Sequence, residues 1–281
     1  MSASKFIQSC IQGWLNLTGR KVDFTRYPVL KGPIAGDEEI GEEFYHKLAE
    51  RENLKIKYTT EGGLLLNFHE VIDQIRPFSD KLDPEIPKFY EQTSHYNMEV
   101  WSKWSPPISW IAKLLIRLVS VEMKQLNIPL DSLETSYGMD SSVIHLLNGD
   151  GDIEYACWLR KSIKSNKVVY AGFYSSFQLG DSPFKHVKVV FPLPKGNVTV
   201  ILKVEVLEDG SIQLMSLGKR FGQSGYYRLH KNRHGVVKAR MIPIKETIHV
   251  FQDQYNVLRT DHYFRWRKMK FLQLHYKIIP K

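Results

Sequence analysis

The sequence is short of the features that usually mark a function. It has two cysteines, Cys10 and Cys157, and neither lies near another thiol. That excludes a disulfide framework and a thiolate zinc site, and fits a reducing compartment where stability comes from burial. No Gly-x-Ser-x-Gly elbow is present, and no glycine-rich loop ends in the Lys-Ser/Thr pair of a nucleotide-binding loop. Nucleophilic hydrolysis and nucleotide binding therefore have no motif to rest on. The first fourteen residues carry Gln8, Ser9 and Gln12 among apolar positions, which breaks up the apolar run a signal peptide needs. These absences predict a cytoplasmic protein with no metal and no cofactor.

Aromatic residues and uneven charge are what the chain does have. Phe, Tyr and Trp make up 12% of its 281 residues, and rings in that number fill wide cores or line apolar pockets. The net charge of +9 is concentrated in residues 133–281, with 23 Lys and Arg against 12 Asp and Glu. Those basic residues alternate with apolar ones, as on the solvated face of a sheet. The pattern therefore predicts spread charge and no specific nucleic-acid partner.

Organisation follows from the periodicities. Residues 1–132 read as a mainly helical covering region. Phe6, Ile7, Cys10, Ile11 and Trp14 recur at helical spacing, and a second helix is expected after Asp37 with Ile40, Phe44, Tyr45 and Leu48 buried. Glu61-Gly62-Gly63 reads as a hairpin turn between Lys55–Thr60 and Leu64–Phe68. Residues 96–104 fit a strand or part of a helix. Pro106 and Pro107 open a long helix to Asn127, with Lys113, Arg117 and Lys124 on one stripe. Arg117 argues against a membrane span, since a central charge costs roughly 2.5–3.5 kcal/mol on insertion. Packing on the sheet, or lying in a membrane surface with Trp101, Trp104 and Trp110 as anchors, are the readings for that helix.

Residues 133–281 read as one strand after another, from Ser142–Leu147 through Phe271–Ile278. Asn148–Gly151, Pro194–Asn197 and Asp209-Gly210 supply turns. The fold class predicted is α+β: a long antiparallel sheet, curled or closed as a barrel, covered by N-terminal helices. Both regions are expected to form one integrated domain.

At Tyr170–Tyr174, at Val187–Pro194 with Gly196–Val200, and at Ile248–Phe251 with Leu258–His262, the chain resembles bacterial proteins of uncharacterised function. The resemblance spans most of residues 90–278. It implies a bacterial source and transfers no catalytic residue.

Motif by motif, the chemistry stays sparse. Asn148, Asp150 and Asp152 have calcium-loop spacing, but Ile153 and Leu159 stand where the glycine and glutamate of that loop belong, so a solvated hairpin is expected. His69-Glu70-Val71-Ile72-Asp73 misses the second histidine of a zinc helix. His230–His234 reads as a solvated basic turn.

One constellation stands out. A turn at Asp253–Asn256 pairs Gln252 with Val257, which sets His249 opposite Thr260 and His262 opposite Thr247. All four then share an inward face with Phe251, Phe264 and Trp266. With Tyr170 and Tyr174 these nine residues form the expected ligand-binding set. The function expected is binding of a hydrophobic or amphipathic small molecule, such as a lipid, inside the sheet. The alternatives are an enzyme using His249 or His262 as acid or base on an apolar substrate, and a peripheral membrane or scaffold protein. Oligomeric state is not legible.

Overall fold

The computed structural model describes residues 3–36, 40–41, 43–72, 78–106, 139–164, 166, 168–180 and 185–281. The helix expected over 107–127 lies outside the described residues, as do Asp37 and Asp73. Helices α1 (Ala3–Thr18), α2 (Phe44–Glu52), α3 (Phe68–Ile72) and α4 (Glu85–Glu91) alternate with β1 (Arg20–Lys21), β2 (Lys55–Tyr58) and β3 (Tyr96–Trp104). Then come β4 (Met139–Leu147), β5 (Ile153–Ser162), β6 (Val168–Gln178), β7 (Lys185–Leu193), β8 (Gly196–Val206) and β9 (Ile212–Met215). Strands β10 (Gly225–Lys231), β11 (Val237–Ile242), β12 (Ile244–Gln252), β13 (Leu258–Trp266) and β14 (Met269–Pro280) complete the chain.

All fourteen strands belong to one sheet, and the pairings between them are antiparallel. The order is β2-β4-β5-β6-β7-β8-β9-β12-β13-β14-β3, with a branch β10-β11-β1 leaving from β8. The branch exists because β8 is long. Gly196–Ile201 pairs with β10, and Lys203–Val206 pairs with β9. Short turns between successive strands impose the antiparallel order. The sheet curls, but it is not closed as a barrel, because β3 is paired with β14 and not with β4. The outer edge of β4 is taken by β2 from Ile144 to Leu147 instead.

Side-chain alternation sets the two faces. On β8, Val200, Leu202, Val204 and Val206 point into the main core, while Ile201 on the other face packs with Tyr227, Leu229 and Ala239. Each outer face has its own cover. Phe44, Tyr45, Leu48 and Ala49 of α2 pack on Ile144, Cys157, Leu159 and Phe173. Each such side chain contributes about 1.5–3 kcal/mol when fully buried. Phe68, Val71 and Ile72 of α3 and Ile86, Phe89 and Tyr90 of α4 enter the inner core, so these helices plug one end of the curl.

Several local expectations are corrected. Helix α2 begins at Phe44, because Gly41 adopts a left-handed φ of 51° that breaks a helix running from Asp37. No hairpin forms around Glu61–Gly63. Instead β2 pairs with β4, and Leu64 N–H donates to Tyr90 O (2.8 Å). Gly63 lies so close to Glu91 that a Cβ there would meet its carbonyl oxygen at 2.1 Å. The basic turn is Asn232–Gly235, whereas His230 is buried in β10. Asn148 Oδ1 accepts the N–H groups of Asp150 and Asp152 at 3.0 Å each, an ordinary hairpin cap.

Candidate functional site

The inward faces of the strands line a cavity of about 320 Å³ that is partly open to solvent. Val187, Val189, Val200, Leu202 and Leu214 form much of the apolar wall, and Leu64, Phe89 and Tyr90 close the plugged end.

Two rings hold the wall of β6 in shape. Gly172 lies between Tyr170 and Tyr174, and a Cβ there would stand 3.1 Å from both Phe191 and Tyr174. The missing side chain lets those rings fold over the strand. Trp158 meets Tyr170 and Tyr174 edge-on at 5.9 and 5.7 Å. Burial pushes the hydroxyls of Tyr170 and Tyr174 above their usual pKa, so both stay protonated and can donate.

Strands β12 and β13 carry the polar centre. Their pairing sets Glu246 opposite Phe264, Ile248 opposite His262 and Val250 opposite Thr260. Glu246, His262, Thr260 and Phe264 line the cavity. Tyr226 OH donates to Glu246 Oε2 at 2.7 Å, and His262 Nε2–H donates to Glu246 Oε1. The His262 ring packs on Phe264 at 4.2 Å and lies 6.3 Å from Tyr276. With the carboxylate as acceptor, Nε2 carries a proton.

Arg160 on β5 supplies the other charge. It is 1% exposed. Its guanidinium sits 5.2, 5.9 and 5.8 Å from the rings of Trp158, Tyr170 and Tyr276. Nη2 donates to Met98 O at a long 3.5 Å, and Nε has no hydrogen-bond partner. Guanidinium keeps its charge in proteins, and an unpaired buried ion costs several kcal/mol. No carboxylate among the described residues forms an ion pair with it.

Five of the nine expected residues line this cavity: Tyr170, Tyr174, Thr260, His262 and Phe264. The other four do not. Asp253 N–H donates to Val257 O (2.9 Å) and Asn256 takes a left-handed φ of 58°. The turn thus holds one residue more than expected, and Gln252 pairs with Leu258. A slip of one residue changes which side chains share a face. Thr247, His249 and Phe251 therefore lie on the outer face, where His249 bonds Ser211 Oγ at 2.9 Å and stacks on Phe251. Trp266 ends its strand 44% exposed. Sequence reasoning missed Arg160, Glu246, Tyr226 and Tyr276. For Glu246 a signal existed: it interrupts the inward stripe Ile244, Ile248, Val250.

Among the described residues no group of three His, Cys, Asp or Glu could hold a metal ion. None of their helices is long and apolar enough to cross a membrane.

No family model matches the chain, and no solved structure matches it. Over 252 residues, 87% of its length, the chain is 27% identical to "Uncharacterized membrane protein YndJ" of Bacillus subtilis (strain 168). It spans 42% of that protein's length. This similarity agrees with the resemblance to bacterial proteins of uncharacterised function.

Proposed function

We propose that the chain binds a hydrophobic or amphipathic small molecule, such as a lipid, in the cavity bounded by its curled sheet. The observation that carries this reading is a concave, mostly apolar cavity with a few convergent polar groups, the usual make-up of a ligand site. The test is saturable fluorescence of N-phenylnaphthylamine with the purified protein, repeated on Val200→Trp, which fills the cavity. Binding that Val200→Trp abolishes supports the proposal. Absence of saturable binding, or binding indifferent to Val200→Trp, overturns it.

A second reading rests on His262. Glu246 fixes its orientation inside an apolar cavity and leaves Nδ1 available, the arrangement of a general acid or base. Under it, a molecule extracted from the wild-type protein changes mass on incubation, and one extracted from His262→Gln does not.

The compartment we propose is cytoplasmic, on the two free thiols Cys10 and Cys157. Peripheral membrane contact is part of the same proposal. The relative bears a membrane-protein name, and Ile11, Trp14 and Leu17 are exposed on α1 beside Arg240, whose guanidinium covers Trp14 at 4.6 Å. Flotation with anionic phospholipid vesicles tests this, and its absence with Trp14→Ser would tie it to α1.

A further inference from the structure

We infer that the ligand of this cavity is an apolar monocarboxylic acid whose carboxylate is received by Arg160, an inference that rests on the binding role proposed above. Three observations converge on it. The guanidinium is buried, cannot lose its charge, and has a free Nε–H. The edge made by Nε and a neighbouring Nη matches the two oxygens of a carboxylate, which accept a pair of parallel hydrogen bonds. Its one hydrogen bond to the chain's backbone, to Met98 O at 3.5 Å, is weak enough to leave the donors available.

The cation is also preorganised. Trp158, Tyr170 and Tyr276 hold the guanidinium against their rings. Tyr170 bonds Arg160 as well, so its hydroxyl stands where it can donate to the same anion.

Charge count selects the headgroup. Among the described residues, Arg160 is the one arginine or lysine on the cavity wall, and the one carboxylate there, Glu246, is already held by Tyr226 and His262. One arginine balances one negative charge. A phosphate dianion would bring a second charge into a volume that already contains Glu246, where like charges repel strongly at low dielectric. Apart from Thr260 and His262, the rest of the wall among the described residues is apolar or aromatic, which suits a hydrocarbon body.

The experiment displaces N-phenylnaphthylamine from the full chain with dodecanoate, dodecanol and dodecyl phosphate, on wild type, Arg160→Met and Arg160→Lys. The expected result is dodecanoate binding about 10-fold or more tighter than dodecanol to wild type. Arg160→Met should lose that preference, so that dodecanoate and dodecanol displace the probe with affinities within about 3-fold of each other. Arg160→Lys should keep part of it, since lysine retains the charge without the fork. Equal affinity of wild type for acid and alcohol overturns the inference and leaves the cavity reading standing. So does tighter binding of dodecyl phosphate. If no probe binds wild type, both readings fall. The wild-type comparison needs no variant, so misfolding of Arg160→Met does not spoil the test.

Discussion

Arg160 of β5 and Glu246 of β12 line one cavity, and Tyr276 lies within reach of both charges. The Arg160 guanidinium is 5.8 Å from the Tyr276 ring centroid, and that ring is 6.3 Å from His262, which bonds Glu246. Burial is the main cause that raises the Tyr276 hydroxyl's pKa; the positive charge opposes the rise and the negative charge adds to it. The two ions share surroundings but differ in support. Glu246 has two side-chain donors, whereas Arg160 has rings, the Tyr170 hydroxyl and one long backbone hydrogen bond.

Glu246 should therefore be a stability residue. Glu246→Ala leaves Tyr226 and His262 without their acceptor, and a loss of about 3–5 kcal/mol is expected. Glu246→Gln keeps an acceptor and should cost about 1–2 kcal/mol. Urea denaturation of both variants checks the order. Equal losses would mean that the hydrogen bonds do not matter.

Arg160 should behave in the opposite way. Arg160→Met removes a poorly paired ion and keeps most of its length, so the ligand-free protein should be as stable as wild type or more so, by up to about 1–3 kcal/mol. A fall of more than about 2 kcal/mol in the same denaturation measurement would show that the arginine is there to hold the sheet together.

The two central histidines should separate cleanly. His262→Phe removes a donor to Glu246 inside the cavity, so both stability and naphthylamine binding should suffer. His249→Phe gives up one half-exposed hydrogen bond to Ser211, about 1 kcal/mol, with binding unchanged. If His249→Phe impairs binding as much as His262→Phe, the observed strand register is not the one that governs the site.

Mild acid should destabilise the fold through His145 and His230. Burial holds both pKa values below the usual 6.5. In that range the unfolded chain binds more protons than the native one. Stability is then full above 6.5 and falls as pH drops toward the lowered native values. His145 Nε2–H donates to Gly63 O at 2.9 Å, and His145→Gln offers a donor that does not titrate. The denaturation midpoint of wild type should drop between about pH 7 and about pH 5, and that of His145→Gln should drop less. A wild-type midpoint that stays flat or rises over this interval would contradict the assignment.

Much of this architecture was legible because alternation and turn residues carry it. Val198 to Val206 alternate through a long strand, and Asp209-Gly210 marks its end. The bounds of β4 to β14 follow such signals to within a few residues. Register was less legible. Whether Asp253 opens a turn of four or five residues depends on Asn256 adopting a left-handed conformation, which asparagine tolerates but does not require. That single choice moved Thr247, His249 and Phe251 to the outer face. Arg160 was hidden for another reason. In Tyr155-Ala156-Cys157-Trp158-Leu159-Arg160 both parities are apolar, and an arginine after them reads as the strand's exit to water. Only the cover supplied by α2, more than a hundred residues earlier in sequence, makes the other face buried as well.

The pairing of β14 with β3 has a consequence for how the protein is made. Trp104 meets Leu272, and Tyr96 meets Pro280, and β14 is the one strand that β3 pairs with among the described residues. Contacts this distant along a chain slow folding, because a long loop must close before they form. During synthesis β3 leaves the ribosome long before β14 exists. The wall contributed by Met98, Val100 and Trp104 is therefore added only when the last strand arrives, so the pocket is among the final parts of the molecule to take shape.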